Sequence, residues 1–349
     1  ASFNPGGGTN GTIRQVLLQT DGKILICGDF TQFDGINQGG LARLNAEGTL
    51  DASFSAPNNE NTSGSFRAMA LQTDGKIIIG GAFLFTSGGF LHYNVARLNV
   101  DGSLDSTFRA DSIVAIGAVL TITIQTDGKI LAGGLFQPFN FARLNSDGSH
   151  DSSFQNWSAD GTVLDIKVQT DGKIVLGGDF SRIVNTNQTG FERNGIARLE
   201  ANGNLDSSFN PGTELFRTVY SIALQSDGKI ITGGTLNKKL ARLNSDGSLD
   251  ITFNQNKYIN YGISSITVLP TGKIVIAGAF TRFSNLTGFS QVTYRNGIAR
   301  LETDATPDAT FNPGTAAVLA ETDNPTSVRT VKTQTDGKIL IGGKFNLVN

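Results

Sequence analysis

The sequence of 349 residues is poor in the side chains on which most metal sites and many enzymes depend. It has one cysteine, Cys27, and two histidines, His92 and His150. A single cysteine excludes an intrachain disulfide and a cysteine-based metal cluster. Two histidines leave little scope for histidine-dependent metal or acid–base chemistry. The composition therefore predicts a protein without a metal or an organic cofactor.

An excess of charge of one sign and long apolar runs are also missing. The 28 Lys and Arg residues nearly balance the 30 Asp and Glu residues, which gives a net charge of −2. Proteins that hold nucleic acid or an anionic membrane surface need a clustered excess of basic residues. No apolar run approaches the roughly 18 residues of a membrane-spanning helix. We therefore expect neither nucleic-acid binding nor membrane insertion.

Glycine is abundant, with 43 residues, and much of it belongs to a repeat. A turn of the type Asp-Gly-Lys is followed by a short apolar run, a pair of small residues and, two positions later, an aromatic residue. Because glycine adopts positive φ without steric cost, Asp-Gly predicts a tight hairpin turn. The turns begin at Asp21, Asp74, Asp127, Asp171, Asp227, Thr271 and Asp336. The residues at the aromatic position are Phe30, Phe83, Phe136, Phe180, Leu236, Phe280 and Phe345.

A second signature follows in six of the repeats. It consists of Ala-Arg-Leu and then Asn or Glu, followed six residues later by an aspartate and three residues after that by a phenylalanine. The arginines are Arg43, Arg97, Arg143, Arg198, Arg242 and Arg300. The aspartates are Asp51, Asp105, Asp151, Asp206, Asp250 and Asp308. A buried arginine needs a carboxylate or carbonyl partner, so we predict that these residues pair structurally within each repeat.

Each repeat reads as four short β-strands, here called a to d. In the first repeat strand a is Ile13–Gln19 and strand b is Lys23–Cys27; strand c carries Ala-Arg-Leu, and strand d carries the aspartate and the phenylalanine. Short apolar runs between turn signals predict strands, and no helical periodicity competes with them. Seven such units predict an all-β protein, a seven-bladed β-propeller of four-stranded antiparallel blades. A two-sheet sandwich is the alternative, but it needs long crossover connections that no repeat supplies.

The combined pattern Gln-Thr-Asp-Gly-Lys-Ile, Gly-Gly-x-Phe, Ala-Arg-Leu-Asn and Asp-Gly-x-Leu-Asp-x-x-Phe resembles the delta-60 repeat family of bacterial β-propellers. The resemblance covers essentially the whole chain. It implies a propeller within a large secreted or surface-anchored bacterial protein, often one that carries adhesin-like modules. It brings no catalytic residues.

The last blade is expected to be incomplete in this chain. Strands a (Val328–Gln334) and b (Lys338–Gly342) are present, but no Ala-Arg-Leu follows them. At the other end, Phe3-Asn4-Pro5-Gly6 matches the close of a repeat, as in Phe209-Asn210-Pro211-Gly212. We therefore predict one propeller domain over residues 1–349, a fragment of a longer protein, whose first residues supply the tail of the last blade.

The connections between strands differ on the two faces of the predicted disc. The a–b and c–d turns share one face and keep a constant length, so we call it the constant face. The b–c and d–a connections share the other, the variable face, and the b–c connections range from 4 to 18 residues. Variable loops on a rigid scaffold are a common place for binding. The candidate ligand residues on this face are Tyr93, Trp157, Phe191, Tyr258, Tyr261 and Tyr294.

Two other features have ordinary structural interpretations. The Asn-x-Asp-Gly-x-x-Asp segments, such as Asn99–Asp105, resemble calcium loops, but they lack the bidentate Glu and are explained as hairpin turns. Strand a should line the central channel, where Asp165, Lys167 and Lys332 are the expected charges. A solvated channel is the default interpretation of these three residues.

From the sequence we predict a non-catalytic binding or display module of a secreted or cell-surface bacterial protein. Its partner, a protein or a glycan, is expected on the variable face, and other domains of the same polypeptide are further candidate partners. One alternative is a glycan-active enzyme that uses variable-face carboxylates: Asp111, Glu192, Glu214 and Glu321. The other alternative is a purely structural spacer.

Overall fold

Every regular element in the described part of the computed structural model is a β-strand. These segments contain no helix that could span a membrane. The described residues are 3–57, 65–87, 90–110, 116–154, 157–185, 189–212, 218–235, 239–254, 257–285, 292–313, 327–334 and 336–344.

The repeat folds as a succession of antiparallel sheets in the order a-b-c, six with three strands and a last one with two described strands. The a strands are Ile13–Leu18, Ser65–Leu71, Gly117–Ile124, Thr162–Val168, Val219–Leu224, Ile263–Val268 and Ser327–Thr333. The b strands are Ile24–Gly28, Ile77–Ser87, Ile130–Phe136, Ile174–Asp179, Ile230–Gly234, Ile274–Gly278 and Ile339–Lys344. The c strands are Leu41–Leu44, Phe90–Leu98, Phe141–Leu144, Ile196–Leu199, Leu240–Leu243 and Ile298–Leu301.

The fourth segment of each repeat is not an extended strand in the described residues. It contributes a single antiparallel bridge to strand c, as between Leu44 and Leu50. The chain then turns, because Asp51 Oδ1 accepts hydrogen bonds from the Ser53 amide at 3.0 Å and from the Ser53 hydroxyl at 2.6 Å. Such local side-chain bonds give the backbone an alternative to a strand ladder. The predicted strand d is therefore a bridge followed by a turn.

Successive sheets pack face to face around a ring, and apolar side chains fill each gap. Between the second and third sheets, Ile78 and Val95 pack against Val119 and Ile122. Gly80 of the small pair is required by this packing, since a Cβ atom there would lie 2.7 Å from the Ile122 Cδ1 atom. The all-β propeller prediction is confirmed.

The last sheet packs against the first, so the ring closes on itself. A Cβ atom at Gly342 of the last sheet would lie 2.7 Å from the Ile13 side chain of the first. Near this junction, the Asn4 amide donates to the Glu47 carbonyl at 2.7 Å. In the body of the chain, the Asn210 amide donates to the Asp246 carbonyl at 2.8 Å. The N-terminal segment thus takes the place that the end of a preceding repeat takes elsewhere.

The variable face carries additional small sheets that the sequence analysis treated as loops. The first repeat has a two-stranded hairpin, Gln32–Phe33 with Ile36–Asn37. The fourth and sixth repeats each have a three-stranded sheet, which we call accessory sheets 4 and 6. Accessory sheet 4 consists of Trp157–Ala159, Arg182–Asn185 and Gly190–Glu192. Accessory sheet 6 consists of Lys257–Ile259, Arg282–Asn285 and Thr293–Tyr294.

Candidate functional site

On the constant face, the repeated arginine and aspartate form the centre of a fixed contact set. In the third repeat, Asp151 Oδ2 accepts from Arg143 Nε at 2.7 Å and from the Lys129 ammonium of the a–b turn at 2.7 Å. Arg143 also donates to the Ala201 carbonyl of the next repeat at 2.6 Å. Its guanidinium carbon lies 4.3 Å from the centre of the Phe154 ring. One arginine therefore joins strand c, the turn after it and the neighbouring blade.

The ion pairs recur in every repeat that has the second signature, and in the described residues five of the six arginines also donate to a carbonyl of the next repeat. The Arg Nε to Asp Oδ2 distances are 2.7 Å for Arg43–Asp51, 2.8 Å for Arg97–Asp105, 2.7 Å for Arg198–Asp206, 2.9 Å for Arg242–Asp250 and 2.6 Å for Arg300–Asp308. The lysines of the a–b turns that reach these aspartates are Lys23, Lys76, Lys173, Lys229 and Lys273.

These contacts keep the repeated aspartates ionised. Burial by itself would raise the pKa of Asp151, but hydrogen bonds from Lys129, Ser153 and Arg143 outweigh it and hold the pKa far below its usual range. The pKa values of the other five repeated aspartates are also lowered. A carboxylate held this firmly by two cations is suited to structural work and poorly suited to proton transfer.

The c–d turns use their oxygens internally. Asp147 Oδ1 accepts from the Ser149 amide at 2.9 Å and from the Ser149 hydroxyl at 2.7 Å, which closes the turn. Within the described segments, no group of three His, Cys, Asp or Glu side chains is placed to hold a metal ion. That these turns fold without calcium stays a prediction.

On the variable face, hydrogen bonds join each accessory sheet to the short loop that precedes strand a of the same repeat. Asp160 Oδ1 accepts from the amides of Ser181 and Arg182 at 2.8 and 3.0 Å. In the sixth repeat Asn260 Oδ1 accepts from the amides of Thr281 and Arg282 at 3.0 and 3.2 Å. The two accessory sheets are therefore fixed to the propeller in the same way.

The six candidate aromatic residues differ in their exposure and in the elements that carry them. Trp157 is half-buried, with its ring centre 5.9 Å from that of Phe191, which is 43% exposed. On accessory sheet 6, Tyr258 is 37% exposed and Tyr294 is 68% exposed. Tyr261, which follows that sheet, is also exposed.

Accessory sheet 6 presents its tyrosines together. Tyr258 is paired with Ser284, and Tyr294 with Arg282. Because paired residues share a face and alternate residues along a strand do too, Tyr258 and Tyr294 lie on one face of this sheet. Tyr93, half-buried and paired with Leu84, lies in the second repeat, apart from both accessory sheets.

The carboxylates considered for an enzyme do not converge in the described residues. Glu192 lies 3.3 Å from Arg182, and both side chains are largely exposed. Asp111, Glu214 and Glu321 lie outside the described residues, as do Leu236 and Phe345 of the repeat signature.

The a strands surround a central cavity of about 380 Å³. The third residue of several a strands bonds to the backbone of the next blade. Ser221 Oγ accepts from the Ile266 amide at 3.0 Å, and Ser265 Oγ accepts from the Val331 amide at 3.2 Å. These polar channel residues therefore hold adjacent blades together.

Asp165 has the same structural task. Its Oδ2 accepts from the Ile222 amide of the next blade at 2.7 Å, and its Oδ1 accepts from Lys167 Nζ at 2.6 Å. Lys332 lies at the same register position as Lys167, in the last repeat. Burial, and then the charge of Lys167, lower the pKa of Lys332. At this level of the channel there are thus two lysines and one carboxylate, and that carboxylate already accepts hydrogen bonds from the Ile222 amide and from Lys167.

The expectation that Asp165, Lys167 and Lys332 are the only channel charges is wrong. Arg14, Arg67 and Arg329 also line the cavity. Each is the residue that the a–b pairing of its blade skips in a β-bulge. A bulge re-aims the side chain of the extra residue, which brings it to the channel although strand alternation assigns it to the other side.

The three arginines meet at the variable-face mouth of the channel, and we call them the mouth arginines. Arg14 is paired with Asp29, and Arg67 Nε donates to the Ser65 hydroxyl at 2.8 Å. Burial, and then the charge of Arg14, lower the pKa of both Arg67 and Arg329. Arg67 and Arg329 are therefore each close enough to Arg14 to be repelled by it. In the sequence, the three arginines could have been found by comparing the second residue of the predicted strand a across the repeats.

The fold and its repeated contacts define a β-propeller, and the comparison with protein families agrees. The model of the β-propeller family described as a domain of unknown function (DUF5122) matches residues 19–54, 72–108, 125–154, 169–209, 225–253 and 269–311. These matches cover more than half of the chain, which therefore belongs to this family. No curated protein sequence matches it.

Solved structures resemble the chain in fold alone. The WD40 β-propeller domain of Doa1 is 15% identical with a TM-score of 0.57, over 97% of this chain and 92% of that one. Streptogramin B lyase is 13% identical with a TM-score of 0.55, over 98% and 94%. YCF48, solved with the D1 peptide, is 14% identical with a TM-score of 0.51, over 99% and 96%. One neighbour is named as an enzyme and another as a peptide complex, so the fold does not select a function.

Proposed function

We propose that the chain forms a seven-bladed propeller of the delta-60 repeat type. Seven a–b hairpins follow one another, and the last packs against the first. The N-terminal bond from Asn4 to Glu47 supports closure of the last blade by the start of the chain. In each of the first six blades, the fourth element is the bridge-and-turn segment after strand c.

We propose that this propeller is a non-catalytic binding or display module of a secreted or cell-surface bacterial protein. The observation that carries the proposal is accessory sheet 6, which raises Tyr258 and Tyr294 on one face while Asn260 fixes it to the scaffold. Exposed tyrosines on a rigid element supply contact area at a low entropic cost. A protein or glycan surface is the expected partner, and other domains of the same polypeptide are further candidates.

A glycan array probed with the purified propeller tests this function. Wild-type protein should bind a defined subset of glycans, and the double variant Tyr258→Ala/Tyr261→Ala should lose that signal while it stays folded. Ile251→Ala removes an exposed apolar side chain that is 72% accessible on the constant face, and it should bind as the wild type does. Equal binding by wild type and the double variant would contradict the assignment of this surface. Turnover of any glycan on the array would instead support the enzyme.

A further inference from the structure

We propose that the mouth of the central channel is a binding site for a small dianionic ligand, with a phosphate monoester group or a dicarboxylate held by Arg14, Arg67 and Arg329. The ligand would enter from the variable face. This site lies inside the ring, apart from the tyrosines of accessory sheet 6, so it does not depend on the proposed partner surface.

The charge of the cavity is the first argument. Its lining contains five cationic side chains, Arg14, Arg67, Lys167, Arg329 and Lys332, and one carboxylate, that of Asp165. The whole chain, by contrast, has a net charge of −2. A concave site lined by one sign of charge focuses the field and raises the local concentration of counter-ions. Positive charge is thus concentrated along the wall of the central cavity.

The commitments of the nearby carboxylates are the second argument. Asp165 accepts from the Ile222 amide and from Lys167. Asp29 accepts from Arg14 and is the carboxylate paired with the mouth arginines in the described residues. Arg67 and Arg329 have no carboxylate within salt-bridge distance in the same segments. Two guanidinium charges at the mouth therefore remain without an anionic partner.

The placement of the arginines is the third argument. They come from the last, first and second repeats, which are neighbours across the closure of the ring, and all three occupy the bulge position of strand a. The other bulge positions hold Leu120, Leu164, Tyr220 and Ser264. The cationic side chains are thus gathered on one arc of the mouth, and the hydroxyls of Tyr220 and Ser264 lie on another arc.

The chemistry of these groups selects the ligand class. Guanidinium groups bind carboxylate and phosphate oxygens in a bidentate manner, and the uncompensated charge of Arg67 and Arg329 matches a dianion. A cavity of about 380 Å³ lies near the lower end of the roughly 300–1,000 Å³ of small-molecule sites. Tyr220 and Ser264 can donate to hydroxyl or carbonyl groups on the uncharged part of the ligand.

Isothermal titration calorimetry with inorganic phosphate and with succinate, at constant ionic strength, tests the proposal. Wild-type protein should bind at least one of the two probes with one site per chain, and the stronger probe identifies the preferred oxyanion. Arg67→Gln and Arg329→Gln should each weaken that binding at least tenfold. Lys338→Gln removes one positive charge from an exposed a–b turn on the constant face, and it should bind as the wild type does.

A second measurement needs no variant and so does not depend on folding. Phenylglyoxal modifies accessible arginines, and mass spectrometry reports the extent at each site. The preferred probe should slow modification of Arg67 and Arg329 several-fold and leave exposed Arg109 of the c–d region unchanged. Failure of both probes to bind wild-type protein, or equal binding by wild type and Arg329→Gln, would overturn the proposal. Neither result would bear on the glycan array.

Discussion

The two faces of the propeller use charge in opposite ways. On the constant face every repeated carboxylate lies between a lysine and an arginine, as Asp151 lies between Lys129 and Arg143. At the variable-face mouth, Arg14 is paired with Asp29, whereas Arg67 and Arg329 have no carboxylate within salt-bridge distance in the described residues. In this molecule, the charges that are paired hold strands and blades together. The charges without a carboxylate partner lie at the channel mouth, where we propose a ligand site.

The difference has a physical origin. A partly buried ion pair stabilises a fold only when each charge is compensated and hydrogen-bonded. The constant face meets that condition six times with one local sequence pattern. At the mouth the condition is not met for Arg67 and Arg329: burial disfavours their charged forms and lowers their pKa, and no carboxylate in the described residues pairs with them.

The largest expected difference between the faces appears in acid, because all six repeated aspartates respond together. Their pKa values in the folded state lie below the value of about 3.9 in an unfolded chain, so their stabilisation is complete above that value and is lost as the pH falls toward the folded-state pKa. The melting temperature should therefore fall progressively below about pH 5. A melting temperature that stays constant from neutral pH to pH 3 would contradict this explanation of the constant face.

The next largest effect is expected for Arg143→Ala. This change leaves Lys129 as the only cation of the set beside buried Asp151. Breaking a buried pair costs roughly 3–5 kcal/mol, and because Lys129 remains we expect about 3 kcal/mol. Chemical denaturation measures the loss. Arg300→Ala is the matched control, since that side chain is 26% exposed against 7% for Arg143 and should cost less. Equal and negligible losses would show that the repeated pairs do not stabilise the ring.

A smaller loss is expected for Asp165→Ala in the channel. The change removes the acceptor of the Ile222 amide, and an unsatisfied buried group costs about 1–3 kcal/mol. Asp165→Asn keeps an acceptor oxygen and should recover much of the loss in the same denaturation experiment. If both variants unfold like the wild type, Asp165 does not hold the blades together.

On the variable face, Tyr258→Ala and Tyr261→Ala should leave stability almost unchanged. Surface substitutions away from special features usually cost within about 0.5 kcal/mol, and Tyr261 is half exposed. Thermal denaturation of the double variant tests this expectation. A loss as large as that of Arg143→Ala would mean that these rings support the accessory sheet, and the contrast between the faces would disappear.

The smallest effect, none, is expected from a chelator. Each c–d turn is closed by its own hydrogen bonds, as between Asp147 and Ser149. EDTA should therefore leave the melting temperature unchanged. A large decrease that calcium reverses would show that metal binding contributes to folding and would revive the calcium-loop interpretation.

Much of the blade could be predicted from the sequence because its signals are local. Gly22, at a φ of 85°, lies in the a–b turn that the Asp-Gly pair predicts, and the observed strand Ile13–Leu18 ends one residue before the predicted end. The arginine and the aspartate of the signature are eight residues apart in every copy, as Arg143 and Asp151 are, so their pairing needs only the c–d turn. The end of the predicted strand d could not be predicted in the same way, because a local hydrogen bond from the Ser53 amide to Asp51 competes with the strand ladder.

Local sequence accounts for the all-β repeat, the turns and the charge pairs of the constant face, since residues close along the chain and repeated in register make those contacts. The tertiary structure decided which side chains meet at the channel. Arg14, Arg67 and Arg329 come together only because the ring closes and because a bulge in each strand re-aims one residue. The segments around Trp157 and Tyr258 form accessory sheets for the same kind of reason. The strands of each sheet come from before and after an a–b hairpin, and the folded blade brings them together. Contacts between distant segments depend on the closed ring, which no local pattern encodes.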